Sequence, residues 1–205
     1  EHYRNLEREE GKGVKVAMRS SALGEDLSGT SFAGQYRSEL NVSGENILQA
    51  YKEIIASKYG LPAMSYRLNR GIRHEDASMC VGCMGMVDAI CGGVMYSRNP
   101  LDVTNAIVIN SVWGLPKSVV DGSAPADLFV ISRDKPMVII QKEIPSKREK
   151  FVCYPDEGVC RLEISGDEST SPSLNDKQAF ELARLAVKLE SYYGVPQDME
   201  WAIQR

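Results

Sequence analysis

Arg19 follows a short apolar run, Val16-Ala17-Met18, and opens a stretch of small hydroxylated residues and glycines that continues to Tyr36. That composition suits a polyanion, phosphate above all. An arginine presents a planar fork of donors that matches phosphate oxygens two at a time. Ser20, Ser21, Thr30 and Ser31 add hydroxyls, and Gly24 and Gly29 let backbone N–H groups approach closely. Composition alone fits a surface loop equally well, because Ser, Gly and Asp dominate loops that follow strands. A second group stands far along the chain, in Asp198-Met199-Glu200-Trp201-Ala202-Ile203. Strand alternation puts Asp198 and Glu200 on one face and Met199, Trp201 and Ile203 on the other. Two carboxylates projecting together repel each other unless a cation lies beside them, so the spacing suits magnesium. A solvent-facing edge strand would carry the same acidic pair at little cost.

The order of the residues narrows these readings. Arg19-Ser20-Ser21-Ala22 is followed by Glu25-Asp26 and Ser31-Phe32-Ala33-Gly34-Gln35. Further pieces are Met86-Val87-Asp88-Ala89, Gly93 to Pro100, Val112-Trp113-Gly114-Leu115, Val119-Val120-Asp121-Gly122 and Tyr193 to Ala202. In this order they resemble the nucleotide-binding domain of the phosphoenolpyruvate synthase and pyruvate phosphate dikinase family, whose relatives include rifampicin phosphotransferase and the plant glucan water dikinases. The likeness favours the synthase branch. Thr30-Ser31-Phe32-Ala33-Gly34-Gln35-Tyr36 stands where pyruvate phosphate dikinases typically carry a Met- and Gly-rich stretch.

The resemblance implies an ATP-grasp fold, in which two α+β lobes close on ATP with the nucleotide between their sheets. It implies that Arg19 stabilises charge on the transferring phosphoryl groups, that Ser20 and Ser21 help seat them, and that Glu200, with Asp198, holds Mg2+. The segment 79–87 matches the family's strand near the adenine, which makes Met84 and Met86 candidate adenine neighbours; Met84 replaces the usual Gln. Gly114-Leu115-Pro116-Lys117 departs from the family's Gly-Leu-Gly-Glu, so any contact made by that glutamate is lost. Trp113 and Leu115 are expected as packing residues. Lys147 matches a lysine of the family pattern, although a lysine beside a strand is ordinarily solvated.

In intact enzymes of this kind ATP phosphorylates a histidine on a mobile domain, leaving AMP and phosphate, and the phosphohistidine passes its group to pyruvate. Three of the family's elements have no counterpart: a lysine that would precede Glu1, a Gln-x-Arg strand that would follow Arg205, and the Thr-Ser-His of the swivelling domain. The pyruvate-binding barrel is missing too. The chain is therefore expected to be part of a longer protein whose phosphohistidine and pyruvate-binding domains are its partners, and to be inactive and a weak ATP binder alone. Two alternatives stay open: another acceptor, such as an antibiotic or a glucan, or a non-catalytic regulatory nucleotide module, which the departures at Met84, Pro116 and Lys117 would suit. Acceptor and oligomeric state are undetermined at this level.

The 205 residues carry a net charge of -4, with no basic stripe that would serve nucleic acid or a membrane surface. No apolar run approaches the roughly 20 residues that span a bilayer. Five cysteines, an odd number without framework spacing, fit a reducing, cytoplasmic setting. Cys80 and Cys83 form a lone C-x-x-C in a run that reads as a buried strand, where their offset sends them to opposite faces, against zinc. Cys153 and Cys160 flank the turn Pro155-Asp156-Glu157-Gly158 and are expected to face each other as reduced thiols.

The elements that must position these groups alternate between short strands and a few helices. A helix is expected at 3–10, a strand at 14–18, the hydroxyl-rich loop, then an extended stretch over 32–42. Ser43 and Glu45 open a helix with Ile47, Ala50, Tyr51, Ile54 and Ile55 at helical spacing, and another follows at 63–70. Strands are expected at 79–88, 92–98, 105–112, 127–133, 136–142, 147–154 and 159–164. A helix over 176–193, with Ala179, Leu182, Ala183, Ala186, Leu189 and Tyr193 on one face, precedes a last strand at 197–203. Strands in runs bracketed by helices predict an α+β fold with largely antiparallel sheet. The connection at 165–175 is the expected sub-lobe boundary.

Overall fold

The computed structural model describes residues 2–22, 36–101, 104–120, 122–155 and 158–204. The chain forms two compact units: Glu1–Met86 with Tyr154–Gly158, and Val87–Cys153 with Val159–Arg205.

The first unit contains α1 (His2–Glu10), β1 (Val16–Ala22), β2 (Ser38–Val42), α2 (Ile47–Ser57), α3 (Leu61–Asn69) and β3 (Met79–Gly85). Its sheet is antiparallel in the order β2-β1-β3. Val16, Met18, Val42, Ala50 and Ile54 form the core, with Tyr3, Leu6, Ile47 and Val81 packed against it. The Tyr3 hydroxyl donates to the Val14 carbonyl at 2.9 Å, which ties α1 to the entry of β1. Two expectations are corrected. Arg19-Ser20-Ser21-Ala22 belongs to the strand rather than to a loop, because β1 is central and β3 supplies ladder partners as far as Ala22, outweighing the turn preference of serine. β3 is not a buried strand: among the described residues it pairs with β1 alone, and Cys80, Gly82, Cys83 and Met84 are exposed. The expected extended stretch at 32–35 lies outside the described residues.

The second unit contains β4 (Ala89–Tyr96), β5 (Ala106–Trp113), α4 (Lys117–Val120), β6 (Asp127–Ser132), β7 (Ile139–Glu143), β8 (Glu149–Tyr154), β9 (Gly158–Glu163), α5 (Asp167–Thr170), α6 (Asp176–Tyr193) and β10 (Asp198–Gln204). The last residue of β8 and the first of β9 cluster with the first unit. A five-stranded antiparallel sheet runs β10-β4-β5-β6-β7. α6 begins at a capping box between Asn175 and Gln178 and ends at Gly194, whose φ of 75° is left-handed. Its small residues Ala179, Ala183 and Ala186 let the helix lie close against Cys91, Met95, Ile107, Ile109, Phe129, Ile131 and Trp201. Tyr193, expected on this face, is exposed, since the helix runs on beyond the core it covers. Helices and antiparallel sheet thus combine in the α+β, ATP-grasp-like class expected of the sequence.

Leu115 is buried and its N–H donates to the Phe151 carbonyl at 2.8 Å, while the Trp113 indole donates to the Glu168 carbonyl at 3.0 Å. Lys147 is not solvated. It is 2% exposed and pairs with the fully buried Asp127, whose other carboxylate oxygen accepts the Ser173 N–H and hydroxyl, both at 2.7 Å. Segment 165–175 lies within this unit and is held there by these bonds and by Lys147 N–H to the Ser169 carbonyl. Neither Cys153 nor Cys160 is in a disulfide.

Candidate functional site

In the first unit, alternation along β1 sends Val16, Met18 and Ser20 toward α2, and Arg19 and Ser21 to the opposite face. Register carries the same division onto β3. Arg19 lies opposite Gly82, Ser21 opposite Cys80, and Ala17 opposite Met84. Arg19, Ser21 and Met84 therefore share one sheet face, and all three are exposed. The bare Gly82 beside Arg19 leaves room over the strand; an added Cβ there would find its nearest neighbour, the Arg19 carbonyl, at 3.9 Å. Ser20 is half-buried on the other face, opposite Val81. Met86 follows the end of β3, where its N–H donates to the Lys15 carbonyl at 2.9 Å. The cavity of about 290 Å³ between β2 and α2, lined by Glu39, Asn41 and Glu53 among others, touches none of Arg19, Ser21 or Met84.

In the second unit, β10 is an edge strand that, among the described residues, pairs only with β4. Asp198 and Glu200 are exposed on one face, while Met199, Trp201 and Ile203 pack into the α6 core, as alternation predicts. Cross-strand register extends the acidic face inward. Asp198 lies opposite Tyr96, then Val108 and Val130; Glu200 lies opposite Val94, then Asn110 and Leu128. Burial, and next the charge of Glu200, push the Asp198 carboxyl above its ordinary pKa, against a partly offsetting bond from the Met199 N–H. Burial and the charge of Asp198 likewise push the Tyr96 phenol up.

The β4 backbone lies close to its neighbours here. A Cβ on Gly93 would fall 1.8 Å from the Asn110 carbonyl oxygen, and one on Gly92 would fall 2.8 Å from Pro116 Cδ. Tyr96, Val94 and Asn110 were missed in reading the sequence. Their alternation was legible, but only the register of β4 between β10 and β5 aligns them with the carboxylates.

Two hard oxygen donors on one strand face, the charge of one raising the pKa of Asp198, suit a divalent cation. Magnesium in particular is commonly held by one or two carboxylates plus substrate phosphates and water rather than by an all-protein cage. Among the described residues no group of three or more His, Cys, Asp or Glu could form such a cage. The lone C-x-x-C gives none either: Cys80 and Cys83 lie at register positions of opposite parity on β3. Among the described residues no helix is long and apolar enough to cross a membrane.

Comparison with known proteins bears on these faces. The family model of the pyruvate phosphate dikinase AMP/ATP-binding domain matches residues 1–205. A probable phosphoenolpyruvate synthase of Archaeoglobus fulgidus is 36% identical over 100% of this chain and 27% of its own length. The phosphoenolpyruvate synthase of Aeropyrum pernix is 37% identical over 92% of the chain and 26% of its own length. A rifampicin phosphotransferase of Bacillus cereus is 34% identical over 91% of the chain and 21% of its own length. The chain thus spans 21–27% of the length of these three relatives. With a match that runs from the first residue to the last, this chain belongs to the pyruvate phosphate dikinase AMP/ATP-binding domain family.

Proposed function

We propose that this domain binds ATP with Mg2+ and serves a dikinase in which one phosphoryl group of ATP goes to a histidine of the same longer protein and the other to water, releasing AMP and phosphate, after which the histidine passes its group to pyruvate to form phosphoenolpyruvate. The observation that carries the reading is the acidic face of β10, where Asp198 and Glu200 project together and Glu200 raises the pKa of Asp198. In this reading the two carboxylates hold the cation, with Glu200 its main ligand. Bound there, Mg2+ would neutralise charge on the phosphate oxygens. Arg19 supplies a fixed guanidinium for the transferring phosphoryl groups, and Ser21 on the same face offers a hydroxyl to a phosphate oxygen. Ser20, on the α2 side, is assigned no ligand contact. Met84 and Met86 give the adenine apolar and backbone neighbours. Catalysis of this kind is mainly positioning and charge neutralisation, which suits side chains fixed on strands.

The full-length protein, incubated with Mg-ATP and pyruvate and followed by phosphorus NMR, is expected to yield AMP, phosphate and phosphoenolpyruvate. ADP as the sole nucleotide product would overturn the dikinase reading. AMP and phosphate without consumption of pyruvate would support a second reading, transfer to another acceptor, which the 34% identity to a rifampicin phosphotransferase favours.

A further inference from the structure

β10 carries its carboxylates on an edge, with a partner on one side only among the described residues, and a slip of one residue would turn Asp198 and Glu200 into the α6 core. Something must hold its start. The rung before Asp198–Tyr96 joins Gln197 to Ser97, and it is built unusually. The Ser97 N–H donates to the Gln197 carbonyl at 2.9 Å, but the Gln197 N–H donates to the Ser97 hydroxyl, at 2.8 Å, instead of to its carbonyl. That carbonyl is taken by Arg133 Nη1. Arg133 also grips Glu190, in the last turn of α6, through Nη1 at 2.9 Å and Nη2 at 3.0 Å. Arg98 adds two bonds to the same carboxylate, at 3.0 and 2.9 Å.

These groups are enclosed: Ser97 is fully buried, and the Arg133 and Glu190 side chains are 11% and 13% exposed. Burial alone would push the Glu190 carboxyl up; the nearby Ser97 hydroxyl and the bonds from Arg98 and Arg133 outweigh it and hold the pKa below the ordinary glutamate value. Glu190 is therefore a fixed anion, and Arg133 joins it to the Ser97 carbonyl.

We propose that Glu190, Arg133 and Ser97 are positioning residues that lock the register of β10 and thereby aim Asp198 and Glu200, an inference that rests on those carboxylates holding Mg2+ with ATP. Residues that orient metal ligands from behind typically change metal affinity about 10- to 100-fold when replaced. The test measures ATP affinity of the full-length protein by calorimetry, with Mg2+ and with EDTA, alongside thermal unfolding. Ser97→Ala and Glu190→Gln are expected to cut the Mg2+-dependent gain in affinity about tenfold while leaving affinity in EDTA within about twofold. Ser97→Thr, which keeps the hydroxyl, is expected to restore the gain. Glu200→Ala serves as the reference and should abolish it. If Glu200→Ala loses the gain while Ser97→Ala and Glu190→Gln keep it, the network is structural only and the inference is overturned. If Glu200→Ala keeps the gain, the assignment of the cation to these carboxylates falls, and the inference falls with it. Should Ser97→Ala fail to fold, Glu190→Gln decides by the same comparison.

Discussion

The charged form of Asp198 is disfavoured where it stands. Its carboxyl is pushed above the ordinary aspartate value by burial and by Glu200. Between the ordinary and the raised pKa the folded chain binds more protons than the unfolded one, so stability falls as pH rises through that window and stays lower above it. Asp198→Asn removes this penalty. Without nucleotide the variant is expected to melt higher than the parent at about pH 7 and no higher at about pH 3, below the ordinary aspartate pKa. Scanning calorimetry at the two pH values checks this, and an equal gain at both would contradict it. A thiol gives a second test at this scale. Burial, and next the charge of Asp127, push Cys91 up to about 11, whereas Cys80 is exposed on β3. Mass spectrometry after brief alkylation of the folded chain near pH 8 is expected to find Cys80 modified and Cys91 untouched. Alkylation of Cys91 at the rate of Cys80 would contradict its burial.

Among the elements, the segments leading from β6 to α6 hang on one buried pair. Lys147 and Asp127 are 2% and 0% exposed, and the second carboxylate oxygen secures Ser173 just ahead of the α6 cap. Lys147→Met leaves an uncompensated buried charge and is expected to cost about 3–5 kcal/mol in chemical denaturation. A loss below about 1 kcal/mol would show the pair to be solvated after all. Gly93→Ala brings a Cβ against the Asn110 carbonyl and is expected to cost about 1–3 kcal/mol by forcing β4 from β5. Helix α6 was legible to the residue because its cap, its alanine spacing and its closing glycine all agree. The run from Arg19 to Ala22 was not, since serine favours turns locally and only the ladder from β3 makes it strand. Lys147 was misread for the same reason: its partner lies twenty residues earlier in sequence, at a distance that composition does not reveal.

At the scale of the molecule, the α+β class and the antiparallel order of strands followed from the grouping of strands between helices. The division after Met86 did not, because no Pro- or Gly-rich linker marks it. The acidic face was readable from alternation alone, while its extension through Tyr96 and Asn110 awaited the register. With ATP phosphates assigned to Arg19 and to the carboxylate pair, the decisive measurement is isotope exchange between AMP and ATP by the full-length protein in the presence of phosphate and Mg2+. Arg19→Ala and Glu200→Ala are each predicted to slow exchange at least about a hundredfold with the fold intact. Near-parental exchange in both variants would contradict the account.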